Sequence, residues 1–342
     1  MHGYMDRDQR RHELLTPLFR QLGHWKELRV QGDCHNFFRY YKELMTTIGS
    51  PVPEGHKYTS SGMLALDHLV SNGSTCLDYT TSSLVFCKLR HINVGRPNEL
   101  ECDIMAFLAT CKALECLELD DLEVADFPVL HCPVELPSLT SFALTPDDSA
   151  ETSAVKSFFR LFRMPKLKKL SINRPGRGWN SSLDGLFDHL EFKDNVQSIE
   201  LHVAPRSIRH PVPIPFKSIA RNFSNLSEVI IWSDSSHAAE LQECEMSALR
   251  TFTIRVKKSW THKRTIEDIL IFLRNRRKYV NGRDGFRPLR VIMYDYEVMK
   301  YSEDLRMVVA EGLVDLELYH NFWSSRDTTY RLVDLLMGFP TC

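Results

Sequence analysis

The sequence predicts an α/β fold, an irregular solenoid in which short parallel strands alternate with helices. Three observations carry that expectation: a six-residue apolar-x-x-apolar-x-apolar pattern that returns ten times, helical apolar stripes between the copies, and an unexceptional composition. The chain has 342 residues, 43% hydrophobic and 25% charged, with 43 Lys and Arg against 44 Asp and Glu. Those proportions exclude collagen, a long disordered tail and a disulfide-dense mini-protein. A net charge of −1 gives no global steering toward nucleic acid or a membrane.

The strand copies run in order along the chain. They begin with Trp25–Val30, Leu89–Val94, Leu114–Leu119, Leu139–Leu144 and Leu167–Ile172. Val196–Leu201, Leu226–Ile231, Leu249–Ile254, Leu289–Tyr294 and Leu313–Leu318 follow. From residue 89 onward their starts lie 25, 25, 28, 29, 30, 23, 40 and 24 residues apart. One copy would be noise; ten at this spacing define a period.

Helices are expected between the copies. Ile104, Phe107, Leu108 and Cys111 fall at i, i+3, i+4 and i+7, the stripe of a half-buried helix. Leu15, Leu18, Phe19 and Leu22 share these offsets, as do Val155, Phe158, Phe159 and Phe162, and Leu183, Leu186, Phe187 and Leu190. Asn98 with Glu101, and Thr265 with Asp268, have capping-box spacing. Pro165 and Gly312 mark helix stops. A one-sided helix joined to a short strand cannot bury its own apolar face. Stacking such units builds one continuous core.

The helix-then-strand pieces Leu15–Val30 and Phe158–Ile172 resemble those of leucine-rich repeats, and more narrowly the degenerate repeats of fungal F-box/leucine-rich-repeat proteins. The resemblance implies a leucine-rich-repeat-like solenoid that holds a protein substrate on its concave face. It also implies the substrate-binding role of an F-box subunit in a cullin-type ubiquitin ligase, reached through the Skp adaptor. Two departures stand out. The Asn or Cys eight residues after each repeat start appears only as Asn321; the other nine positions read Asp33, Pro97, Leu122, Asp147, Pro175, Ala204, Asp234, Lys257 and Glu297. Only one helix's worth of chain precedes Trp25, so an F-box is expected to be missing from this polypeptide.

One elongated domain over 1–342 is expected, with a capping helix at 1–24, a Pro/Gly-rich loop insertion at 49–62 and a C-terminal cap at 320–342. The period lapses between Val30 and Leu89, where Phe37, Tyr41 and Leu44 suggest a helix and Leu66-Asp-His-Leu69 a weak copy. Residues 235–247 and 279–287 read as surface insertions.

The charged N-terminus holds no signal peptide and no apolar run is long enough to span a bilayer, so the expected location is cytoplasmic or nuclear. Nine cysteines without Cys-x-x-Cys spacing read as free, mostly buried thiols. The Asn-x-Ser/Thr sequons at Asn72, Asn180, Asn222 and Asn225 read as chance matches. No phosphate-binding, dinucleotide or metalloprotease motif occurs, nor a nucleophile elbow. His131-Cys132 is disfavoured as a catalytic pair because neighbours on an extended segment face opposite ways. Asp120-Asp121 with Glu118 reads as an acidic surface turn. No catalytic residue, cofactor or metal site is expected, and the chain is expected to be a monomer.

Charge is segregated although it cancels overall. Residues 99–127 carry nine acids against Lys112, a net of −8, and residues 255–290 carry twelve Lys and Arg against three acids, a net of +9. Nucleic acid is the weaker reading of the basic stretch, because Arg274, Arg276, Arg277 and Lys278 close a helix whose dipole favours cations there.

In such a repeat the third, fifth and often the seventh residue of each copy point to the open face. Early copies place mostly polar residues there; later ones place Ile230 and Trp232, then Arg255, Val291, Met293 and Tyr319. These six form the expected partner-binding patch, since exposed apolar and aromatic residues recurring on one face mark recognition surfaces. A one-residue shift of the 289–294 strand would instead bury Val291 and Met293 and expose Ile292.

Overall fold

The computed structural model describes residues 27–31, 67–72, 89–95, 101–122, 133–146, 152–173, 187, 190–203, 212–233, 236–237, 239–256, 262–280, 289–294, 302–312, 314–320 and 328–331. The expected capping helix at 1–24, the loop at 49–62, the helix around Phe37–Leu44, His131-Cys132, Asn98, Asn321 and most of 320–342 lie outside them. The fold is α/β with parallel sheet, and the chain forms two compact units. The first comprises Met1–Asp147 with Ser157–Lys166; the second comprises Asp148–Lys156 with Leu167–Cys342.

In the first unit the strands are β1 (Glu27–Gln31), β2 (His68–Asn72), β3 (His91–Gly95), β4 (Cys116–Leu122) and β6 (Ser141–Pro146), hydrogen-bonded in that order. All these pairs are parallel, and equivalent residues align: Leu28, Leu69, Ile92, Leu117 and Phe142 form one register row. The carbonyl just before each strand receives two N–H groups from the next. Arg90 and His91 donate to Asp67, Glu115 and Cys116 to Arg90, and Thr140 and Ser141 to Glu115, at 2.8 to 3.0 Å. The apparent lapse at 30–89 therefore contains a real strand. Its third core position is Ser71, aligned with Val30 and Val94, which breaks the apolar pattern without breaking the ladder.

Helix α1 (Glu101–Thr110) leads into β4 and buries Phe107 and Leu108, with Cys111 just beyond it fully buried. A two-residue strand β5 (Val134–Glu135) pairs in parallel with β7 (Phe162–Arg163). Helix α2 (Thr152–Phe159) ends earlier than its stripe predicts, and Phe162 belongs to β7. Phe162 is buried all the same, its ring 5.0 Å from that of Phe158 and 6.1 Å from that of Phe142. The aromatic cluster rather than helical geometry explains its apolar character.

In the second unit the order is β8 (Lys169–Ile172), β9 (Ser198–Val203), β11 (Glu228–Ser233), β13 (Thr251–Val256), β14 (Leu289–Tyr294), β15 (Val314–His320) and β16 (Thr328–Arg331). Every pair is parallel except β15 with β16. A small parallel pair joins β10 (Val212–Pro213) to β12 (Ser236–His237). One face of the main sheet carries the core: Leu170, Ile199, Val229, Phe252 and Val291 form a register row whose members are all at most 1% exposed.

Helix α3 (Phe216–Asn222) buries Phe216, Ile219 and Asn222, so one of the chance sequons is an interior amide bonded to the Ser218 carbonyl. Helix α4 (His262–Val280) starts ahead of Thr265, which is therefore inside the helix and not its cap. Asp268 does not turn back to the helix start; it is buried and accepts a hydrogen bond from Gln242. That contact corrects the reading of 235–247 as a surface insertion: Leu241, Cys244 and Met246 are buried, and the Gln242 carbonyl accepts from Asn275 of α4. Helix α5 (Ser302–Ala310) stops as expected at Gly312, whose φ of +68° is the left-handed conformation that closes a helix C-terminus. There the Glu311 and Gly312 N–H groups donate to the Met307 and Val309 carbonyls, each at 2.9 Å.

Candidate functional site on the open sheet face

Opposite the core rows of the second unit, register alone decides which residues align. Ser171, Glu200, Ile230, Thr253, Ile292 and Glu317 form one row across the strands. The next row holds His202, Trp232, Arg255, Tyr294 and Tyr319.

The six residues expected to bind a partner divide accordingly. Ile230 and Trp232 lie on the open face of β11, both half-buried. Arg255 aligns with Trp232, and Tyr319 shares their row. Val291 is a correction: it is 1% exposed and packs on the core side in line with Phe252. Met293 takes the register position of Ile254, a core residue. The cause is a one-residue offset. Arg290 donates its N–H to the Arg250 carbonyl, as Thr251 does to Ser227 and Glu228 to Gln197, so the copy starts at Pro288 and not at Leu289. Because side chains alternate along a strand, that single step exchanges the faces. Ile292 and Tyr294 replace Val291 and Met293 in the open-face rows.

Three donors meet on this face at Glu200 of β9. Its Oε1 accepts from the Trp232 indole Nε1 at 3.0 Å and lies 3.0 Å from His202 Nε2. Lys169 Nζ lies 3.1 Å from the other carboxylate oxygen. A carboxylate can only accept, so the His202 tautomer is the one protonated at Nε2. The His202 hydrogen bond, and then Lys169, hold the Glu200 carboxyl down at about 2 against the burial that opposes them. The His202 and Trp232 rings stack, 4.8 Å between centroids and 16° from parallel. The indole is thereby fixed at its edge by Glu200 and at its face by His202. A large ring held in this way loses little freedom when it binds.

Lys169, Glu200 and His202 are missing from the residues singled out by sequence. Glu200 and Lys169 are polar open-face positions like many others in the copies, and His202 is recognisable only as the residue that the register sets beside Trp232. Among the described residues, three donors converge on this one carboxylate.

The basic stretch is partly internal. Arg276 is 7% exposed, donates to the Leu249 carbonyl, and has its guanidinium pKa lowered by burial. Arg274 lies 3.9 Å from Asp304. Among the described residues, Cys111 and Cys244 are buried thiols and Cys116 is half-buried, and burial pushes Cys244 up to about 12, away from the reactive thiolate. No helix among the described residues is long and apolar enough to cross a membrane.

No family model, no curated protein and no solved structure matches the chain.

Proposed function

We propose that the chain is a non-enzymatic protein-recognition scaffold whose open sheet face in the second unit engages a protein partner. The carrying observation is the row His202, Trp232, Arg255, Tyr294, Tyr319, with Trp232 pinned between Glu200 and His202. Aromatic residues and Arg dominate the energetics of protein interfaces, and a prearranged ring lowers the entropy lost on association. In this reading the repeats stack as a leucine-rich-repeat-like solenoid, the open face is its concave wall, and the chain acts as a monomer. The resemblance to F-box/leucine-rich-repeat proteins supports a finer proposal, that the bound partner is a substrate for a cullin-type ligase.

The test compares capture by the full chain with capture by Trp232→Ala and by Trp232→Ala/Arg255→Ala, in cells expressing each at the same level. A stoichiometric partner of the wild type should lose about 2 kcal/mol of affinity, roughly thirty-fold, with the single variant. Identical partner sets for all three proteins would overturn the reading. Skp adaptor and cullin among the captured proteins would support the ligase role; a stoichiometric partner without them would leave a freestanding scaffold.

A further inference from the structure

The open face of the first unit carries a different chemistry. His68, His91, Cys116 and Ser141 occupy one register row on β2, β3, β4 and β6, and Asn93, Glu118 and Ala143 occupy the next. Adjacent parallel strands lie about 4.8 Å apart, and residues two apart on one strand share a face. Those two rules bring a ring nitrogen of His91, the sulfur of Cys116 and a carboxylate oxygen of Glu118 together, all within 4.8 Å of one another. All three residues are half-buried. No linear motif announces them, because the three side chains converge through strand register.

We propose that His91, Cys116 and Glu118 bind a zinc ion. The donor set decides the metal. One nitrogen, one sulfur and one oxygen suit a borderline cation, whereas calcium and magnesium require oxygen ligands throughout. Bonds of about 2.0 to 2.3 Å set tetrahedral ligand atoms roughly 3.5 Å apart. The Cys116 sulfur and Glu118 Oε1 already stand 4.0 Å apart, so a contraction of about half an ångström completes that edge. The Cys116 thiol proton leaves when the sulfur takes up the metal.

A second observation bears on the carboxylate ligand. Asn93 donates Nδ2 to Glu118 Oε2 at 2.6 Å, which orients the carboxylate. Because a carboxylate accepts only, the amide must present its nitrogen there. Its Oδ1 is thereby left buried with no hydrogen-bond partner. An orphaned buried acceptor costs free energy. Carboxylates that ligate metals are themselves held by hydrogen bonds from outer residues. His68 is exposed, with its ring centroid 5.5 Å from that of His91.

The experiment uses the full chain, freed of metal with a chelator and titrated with Zn2+ against a competing indicator, then with Co2+ followed by absorption. One equivalent of Zn2+ should bind, and Co2+ should show the near-ultraviolet charge-transfer band of a cobalt–thiolate bond. Cys116→Ser should abolish that band. Glu118→Gln, which keeps the side-chain shape, and His91→Ala should each weaken Zn2+ binding by more than about 100-fold, beyond the roughly 10- to 100-fold expected for Asn93→Ala. Circular dichroism and thermal unfolding of the metal-free proteins identify any variant that fails to fold, and Asn93→Ala and Glu118→Gln then serve as two separate reporters. Absence of a bound equivalent, or an affinity and cobalt spectrum unchanged in Cys116→Ser and Glu118→Gln, overturns the proposal and marks any bound metal as adventitious.

Discussion

Glu200 takes three polar neighbours onto one carboxylate, and its ionisation is linked to folding. Its pKa is depressed from 4.5 to about 2, so its contribution to stability is fully present above pH 4.5 and is lost as pH falls from there toward 2. The unfolding midpoint of the wild type should therefore drop across that window more steeply than that of Glu200→Gln, measured by urea unfolding at stepped pH. Trp232 emission in the same titration should change as its indole partner is protonated; an unchanged spectrum would count against the contact. A second prediction separates the two faces of the sheet. Val291→Asp puts a charge among core residues and should cost about 3 kcal/mol or more. Ile230→Asp, on the open face, should cost about 1 kcal/mol or less. Equal costs for the two would contradict the register assigned to β14. The Val291 position was not legible in the sequence because Leu289-Arg-Val-Ile-Met-Tyr satisfies the apolar pattern in either register. Only the ladder to β13, through Arg290 and Arg250, chooses.

At the scale of single elements, apolar spacing identifies most strands and misplaces several boundaries. All ten copies contain a strand, and in most of them the fourth residue is buried in the core. Boundaries follow tertiary partners instead. Phe162 leaves the helical stripe because β5 offers a strand partner to β7, and Thr265 loses its capping role because α4 begins at His262. The aromatic cluster around α2 gives a direct test. Phe158 is 1% exposed and its ring lies between 5.0 and 6.4 Å from those of Phe142, Phe159 and Phe162. Phe158→Ala should destabilise by about 3 to 5 kcal/mol, read from denaturant unfolding. Gly312→Ala tests the helix stop. An added Cβ meets nothing within 4 Å, so the expected cost of about 1 kcal/mol is backbone strain alone. A cost near zero would argue against the left-handed turn.

Within each unit taken whole, each strand bonds only to its neighbours in the order, so the outermost strands are held on one side alone. In the second unit, amide exchange should be slowest in the interior strands β9, β11 and β13 and fastest in the antiparallel β16. Exchange in β16 as slow as in β11 would mean that further structure covers it. The chain's own sequence determined the α/β class, the strand copies and the near-absence of recognisable catalytic motifs, since each of these depends on residues close together along the chain or on composition. It also brought Ile230, Trp232, Arg255 and Tyr319 to attention. What the tertiary structure alone decided is which residues stand side by side: His202 with Trp232, Tyr294 in place of Met293, and His91 with Cys116 and Glu118. Those neighbours lie about one repeat apart in sequence, and repeat length varies from copy to copy. Hydrogen-bonded register therefore sets the alignment that no fixed spacing could supply.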